Sequence, residues 1–137
     1  MIKKNFKDIE IGDKSVFEKT ITEADIFAFA GICGDFNPLH VSKEFAKNSM
    51  FKGRIAHGTL VAGLIDYTLT DIVGLGGIHI SQLCRFKAPV KIGDTITVES
   101  ELVGKREEKN RFQINSTLKN QDGVVVLTGE AEGMLPD

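Results

Sequence analysis

Apolar positions change their rhythm twice along this chain. From Ser15 to Ile21 they alternate loosely, with Val16, Phe17 and Ile21 as the apolar points, which predicts a first strand. Thr22 stands where a helix N-cap belongs, and Glu23 and Asp25 add negative charge to the first turn. Ile26, Phe29, Ala30 and Cys33 recur at helical spacing and predict one buried face; Gly34 ends the helix because glycine tolerates positive φ. Asp35 to His40 reads as an irregular, extended turn, since Pro38 lacks a donor and pushes Asn37 out of the helical region. Ser42 caps a short helix to about Ser49, which Lys52-Gly53-Arg54 breaks. From Thr59 to Val73 the chain is apolar nearly all round, with Leu60, Val61, Leu64, Ile65, Leu69 and Ile72, which predicts a buried helix. Gly58, Ala62 and Asp66 share one side of it, and Gly74 and Gly76-Gly77 stop it.

Beyond Gly77 the spacing turns to that of strands. Ile78 to Phe86 alternates in places and leads into a turn-rich link, Lys87 to Asp94. Thr95 to Val103 carries Ile96, Val98 and Leu102 on one face, and Arg106 to Asn110 is a charged hairpin tip. Phe112, Ile114 and Leu118 mark the next strand, and Asp122-Gly123 a tight turn. A last strand starts at Val124 and fades towards Met134. The sum is an α+β layout, residues 1–137 forming a single domain in which one long antiparallel sheet wraps a helix. Such a sheet leaves its edge and part of its apolar face open, so a partner subunit is expected to finish the burial.

Composition narrows the partners. Apolar residues make up 42 % and charged ones 26 %, ordinary for a soluble globular chain. A formal net charge of −2 makes no case for nucleic acid or an anionic membrane as the main partner. No segment is long and apolar enough to span a bilayer, and the basic start has no apolar run behind it, so no secretory signal is expected. Cys33 and Cys84 stand apart without metal-site spacing; free thiols suit a cytoplasmic protein, and no metal or cofactor is expected.

The chemistry concentrates between Asp35 and Leu60. Alone, Asp35 is an Asx-turn residue and His40 a loop hydrogen-bonder. Together, a carboxylate and an imidazole five positions apart on one stiff loop can serve as a general acid–base pair. Gly58, opening the apolar helix, has two readings: it permits tight packing, or its N–H stabilises an oxyanion. His57 is read as fixing the loop by hydrogen bonds rather than as a second base, and Lys52 and Arg54 as solvated charges rather than phosphate ligands.

Asp35-Phe36-Asn37-Pro38-Leu39-His40, with Ala46, Phe51, Ile55, His57-Gly58 and Leu60 at their offsets, resembles the hydratase motif of the MaoC-like dehydratase family. Phe86-x-x-Pro89-Val90-x-x-Gly93-Asp94 is similar to a later segment of that family, and the resemblance runs from about Ile11 to the end of the chain. It implies a hot-dog fold, a homodimer or higher homo-oligomer, and (R)-specific hydration of trans-2-enoyl thioesters of CoA or acyl-carrier protein. Carried over, the catalytic residues are Asp35 and His40, the oxyanion donor is the Gly58 N–H, and Asn37 supports the loop. Where the family often has a Ser on the central helix, this chain has Asp66, read either as a helix-surface or subunit-contact residue or as a carboxylate partner of Asp35. Phe27, Leu64 and Leu83 are expected to line an acyl tunnel. A thioesterase and a non-catalytic acyl-thioester-binding module are the alternatives on the same fold.

Overall fold

The computed structural model describes residues 1–136; Asp137, the last residue of the expected domain, lies outside the described residues. Five strands form one antiparallel sheet in the order β1-β3-β4-β5-β2: β1 Lys14–Thr20, β2 Ile78–Phe86, β3 Thr95–Arg106, β4 Arg111–Lys119 and β5 Val125–Met134. Consecutive hairpins give β3, β4 and β5, and the two strands nearest the N-terminus occupy the two edges. Five helical segments cover one face: α1 Glu23–Cys33, α2 Pro38–Val41, α3 Lys43–Lys47, α4 Gly58–Gly63 and α5 Ile65–Val73. The helix end of the core (Leu60, Val61, Ile65, Leu69, Ile72) meets the inward strand residues Ile96, Val98, Leu102, Ile114, Leu118 and Leu127, all buried.

Local chemistry accounts for the helix ends. The Thr22 hydroxyl accepts from Asp25 N–H while Asp25 accepts from Thr22 N–H, a reciprocal cap. Lys19 reaches that carboxylate at 2.8 Å, and its hydrogen bond holds Asp25 below its ordinary pKa. Gly34, at φ 79°, closes α1 in the left-handed region. Of the face expected to be buried, Ile26 and Ala30 are; Cys33, next to the C-cap, is exposed. The turn after it is not extended throughout. Asn37 has extended dihedrals, but Pro38 sits at the first helical position, where its missing N–H costs nothing, and a single turn follows through Val41. Ser42 caps α3 as expected, though the helix stops at Lys47.

The long apolar run is two helical segments rather than one. The Leu64 N–H reaches back to the Val61 carbonyl at 3.1 Å, a three-residue closure that tightens the chain between α4 and α5 just after Gly63. Nor is it buried all round: Thr59, Gly63, Asp66 and Tyr67 are exposed, the Tyr67 ring stacking on Phe17 of β1. β2 is likewise largely exposed on both faces.

One feature under α5 has no apolar signature. Ser15, Ser100, Ser116 and Gly129 are register partners across β1, β3, β4 and β5, and all four face inward. This row of small residues is a trough for the helix. Ile65 Cδ1 would stand 2.8 Å from any Cβ at Gly129, and Thr68 hydrogen-bonds Ser100, which bonds Ser116, each at 2.7 Å. Ser15 bonds Asp71 at the same distance. The strand β5 runs in full to Met134, with Gly129, Ala131 and Gly133 inward. Its apparent fading reflects small residues where helix and Phe112 ring press closest. Ser100→Val would add a methyl to the trough and strip Ser116 of its hydroxyl partner, so a loss of about 1–3 kcal/mol is expected. Urea unfolding at fixed chain concentration measures it; an unmoved midpoint would mean the helix does not rest there.

Candidate active site

Two stitches bring the polar residues together. The first ties α2 to the segment before α4: Ile55 N–H donates to Leu39 carbonyl at 3.2 Å, and His40 Nδ1 lies 2.8 Å from Ile55 carbonyl. The second ties that segment to the link after β2, through Ala56 N–H to Val90 carbonyl at 2.7 Å and an Ile55–Lys91 bridge. Residues 55–57 are therefore held on both sides, and His57-Gly58 enters α4 from a fixed position.

Asp35 is held at both ends. Its Oδ1 accepts from Asn37 N–H at 3.0 Å, an Asx turn, and its carbonyl lies 2.9 Å from His57 Nε2. Asn37 in turn caps α2, its Oδ1 accepting from Leu39 N–H at 3.1 Å. The free oxygen of Asp35, Oδ2, stands 3.7 Å from His40 Nε2, and half of the carboxylate's surface is open. A carbonyl oxygen can only accept, so the bond to Ile55 places the proton of neutral His40 on Nδ1. The Nε2 lone pair then faces Asp35. The two side chains therefore converge across the turn.

His40 and His57 stack, with ring centroids 3.9 Å apart and planes at 27°, and Phe29 closes on the other imidazole at 5.0 Å. Asp35, His40 and His57 offer possible ligand atoms within 4.8 Å of one another. Each imidazole already spends one nitrogen on a carbonyl, and lone pairs in near-parallel ring planes do not converge on one point.

These groups open on a cavity of about 660 Å³. Its apolar wall comes from Met50, Phe51, Val61, Phe86, Val126 and Leu127, and its polar end from Asp35, His40, His57 and Gly58. Phe27, Leu64 and Leu83 do not line it: the Phe27 ring lies 5.9 Å from the Arg54 guanidinium, Leu64 packs on the core, and Leu83 opens on the outer sheet face beside Asn115 and Glu130. Large apolar side chains were the signal, but the wall is built from a loop and from strand ends that only tertiary contacts assemble.

Gly58 shows close packing directly. A Cβ there would stand 2.6 Å from the Phe86 ring, so glycine lets that ring lie on the helix start. No side chain caps α4, which leaves its first N–H groups without a local acceptor at the cavity wall. Asp66 does not join Asp35. It lies on the exposed side of α5, 3.6 Å from His79 Nδ1, and lines a separate groove with Leu69, Val73 and Phe112. A helix repeat carries Asp66 two turns past Gly58, out of reach of the loop. Arg54 is paired with Glu23 at 2.5 Å, and burial pushes the Cys84 thiol up, away from nucleophilic duty.

The profile of the MaoC-like domain family matches residues 7–123, starting a little before Ile11 and stopping just before the last strand. The chain is 45 % identical over 132 residues to an (R)-specific enoyl-CoA hydratase from Rhodospirillum rubrum, covering 96 % of this chain and 91 % of that one. It is 42 % identical over 132 residues to a 3-hydroxybutyryl-CoA dehydratase from Methylorubrum extorquens, covering 96 % and 83 %. Its fold superposes on the unliganded R-hydratase PhaJ1 of Pseudomonas aeruginosa with a TM-score of 0.90 at 39 % identity, over 97 % of this chain and 86 % of that one.

Proposed function

This chain belongs to the MaoC-like dehydratase family, with its hot-dog fold, and from that premise we propose how its residues carry the reversible hydration of a trans-2-enoyl-CoA to an (R)-3-hydroxyacyl-CoA. It is a hydro-lyase. The observation that carries the residue assignment is the Asp35 carboxylate 3.7 Å from a His40 Nε2 that the Ile55 carbonyl leaves free to accept, at the wall of an apolar cavity.

Water sits between Asp35 Oδ2 and His40 Nε2, which together take one of its protons. The hydroxyl oxygen bonds to C3 as the C2=C3 π bond breaks, and the proton held by the pair is delivered to C2. In between, charge moves onto the thioester oxygen, which accepts from the Gly58 N–H at the positive end of α4. Asn37 keeps the turn that presents Asp35. The apolar wall takes the acyl chain. No step calls for a metal or redox group.

A second copy of the chain completes the structure in this reading. Exposed β2, the outer side of α4 and α5, and the cavity residues Met50 and Phe86, 84 % and 59 % exposed, leave more apolar surface open than a monomer keeps. Asp66 lies on that surface, consistent with a subunit contact. Among the described residues no helix is long and apolar enough to cross a membrane, and the reading places the homo-oligomer in the cytoplasm with its free thiols.

Purified protein given crotonyl-CoA is expected to consume the enoyl thioester and form 3-hydroxybutyryl-CoA that an (R)-specific dehydrogenase oxidises. Free thiol released instead would make it a thioesterase; binding by calorimetry without turnover would make it a binding module. Product of the (S) hand would overturn the proposed arrangement of water and acyl chain.

A further inference from the structure

His57 has more to do than hold a loop. Its Nε2 lies 2.9 Å from the Asp35 carbonyl, which can only accept, so Nε2 carries the proton of the neutral ring. Nδ1 is then a bare lone pair. It is shut away from solvent with no hydrogen-bond partner among the described residues, in a residue only 2 % exposed. Folded proteins rarely leave such an atom, because nothing offsets the water it gives up. A phenylalanine ring would fill the same space against His40 and Phe29 without that cost. The imidazole must therefore be kept for what its other edge and its face do.

The edge holds Asp35 by its backbone. The face lies on His40, ring centroids 3.9 Å apart. Its own carbonyl accepts the Val61 N–H at 3.2 Å, making it the residue from which α4 and the Gly58 amide start. One side chain and its backbone thus touch the carboxylate's turn, the imidazole and the helix tip. His57 touches no reacting atom in the mechanism above, and its lone pair is sealed, so it is not a second base.

We infer that His57 is a positioning residue that fixes the spacing between Asp35 and His40, at a cost in stability set by its buried, unpartnered Nδ1. This rests on the acid–base assignment of Asp35 and His40 proposed above. Two variants separate its contacts. His57→Phe keeps a ring against His40 and discards both the donor to Asp35 and the orphan acceptor. His57→Gln can still donate to the Asp35 carbonyl but loses the stacked ring.

The test measures kcat and KM for crotonyl-CoA, the thermal midpoint, and amide exchange at Asn37, whose N–H binds Asp35 Oδ1. For His57→Phe, kcat is expected to fall roughly 10- to 100-fold with KM within about twofold, as for a misplaced catalytic group. Its midpoint should be unchanged or higher, and Asn37 exchange faster. His57→Gln should recover part of kcat and slow that exchange again, with a lower midpoint. A His57→Phe protein that keeps kcat within threefold, fails to fold, or melts earlier in step with its lost activity overturns the inference. Wild-type protein without hydratase activity would instead sink the proposed function; the Asn37 exchange and the midpoint would still decide the role of His57.

Discussion

Asp35→Asn and His40→Asn are each expected to lower kcat for crotonyl-CoA hydration by about 10²- to 10⁴-fold, the range of a lost general acid or base. Both substitutions are chosen to leave the scaffold alone. Asn at position 35 keeps an oxygen for the Asn37 N–H, and the carbonyl that His57 holds is untouched. Asn at position 40 offers an amide donor near where Nδ1 now reaches the Ile55 carbonyl, and removes only the Nε2 edge. The two groups share one water, so the double variant should lose little more than the worse single one; groups that act as a unit do not add. Circular dichroism and thermal melts verify folding, and stopped-time assays give kcat. Activity within threefold of wild type in either variant would end the assignment.

The second large effect is expected at the helix tip. Gly58→Ala and Gly58→Pro both place a Cβ against the Phe86 ring, so both carry that contact. Alanine keeps the backbone N–H, whereas proline replaces that hydrogen with the Cδ of its ring. The site accepts proline conformationally, because it is the first helical position and His57 before it has extended dihedrals of −58° and 133°. Comparing the two variants therefore removes the shared Cβ cost, and the thermal midpoint of each reads what the proline ring adds beyond the lost donor. Gly58→Pro should show kcat about 10²- to 10³-fold below Gly58→Ala if that amide carries the oxyanion. Equal rates would assign glycine here to packing against Phe86 alone.

How much of this could be read along the chain depends on the range of the forces involved. Thr22, Gly34 and Ser42 cap helices through partners within a few residues, so their roles were plain from sequence. The Asp35–His40 pair was legible for the same reason, both groups lying on one short turn. Long-range effects were not. The tautomer of His40 is set by Ile55, whose place depends on Leu39 and on Val90 and Lys91 in the link after β2. The trough under α5 is made of serines and a glycine, residues that carry no hydrophobic signal and matter through being small. The tightening at Leu64 interrupts a run whose composition is uniformly helical, and Asp66 reaches His79 only because β2 folds back along α5. Periodicity reports which face of an element is buried; it says nothing of what that face meets.

Strand order also dictates a timetable. The hairpins joining β3, β4 and β5 pair neighbours in sequence, and that three-stranded meander can close as soon as it exists. Lys14, by contrast, finds its register partner at Glu101, and the ammonium of Lys105 bonds the Phe6 and Ile9 carbonyls across nearly the same span. During synthesis the earliest strand leaves the ribosome with nothing to pair to and waits, unzipped, until most of the polypeptide has followed it out. The N-terminal segment therefore waits longest for its partner, and that interval is when the newborn chain is most exposed to wrong partners.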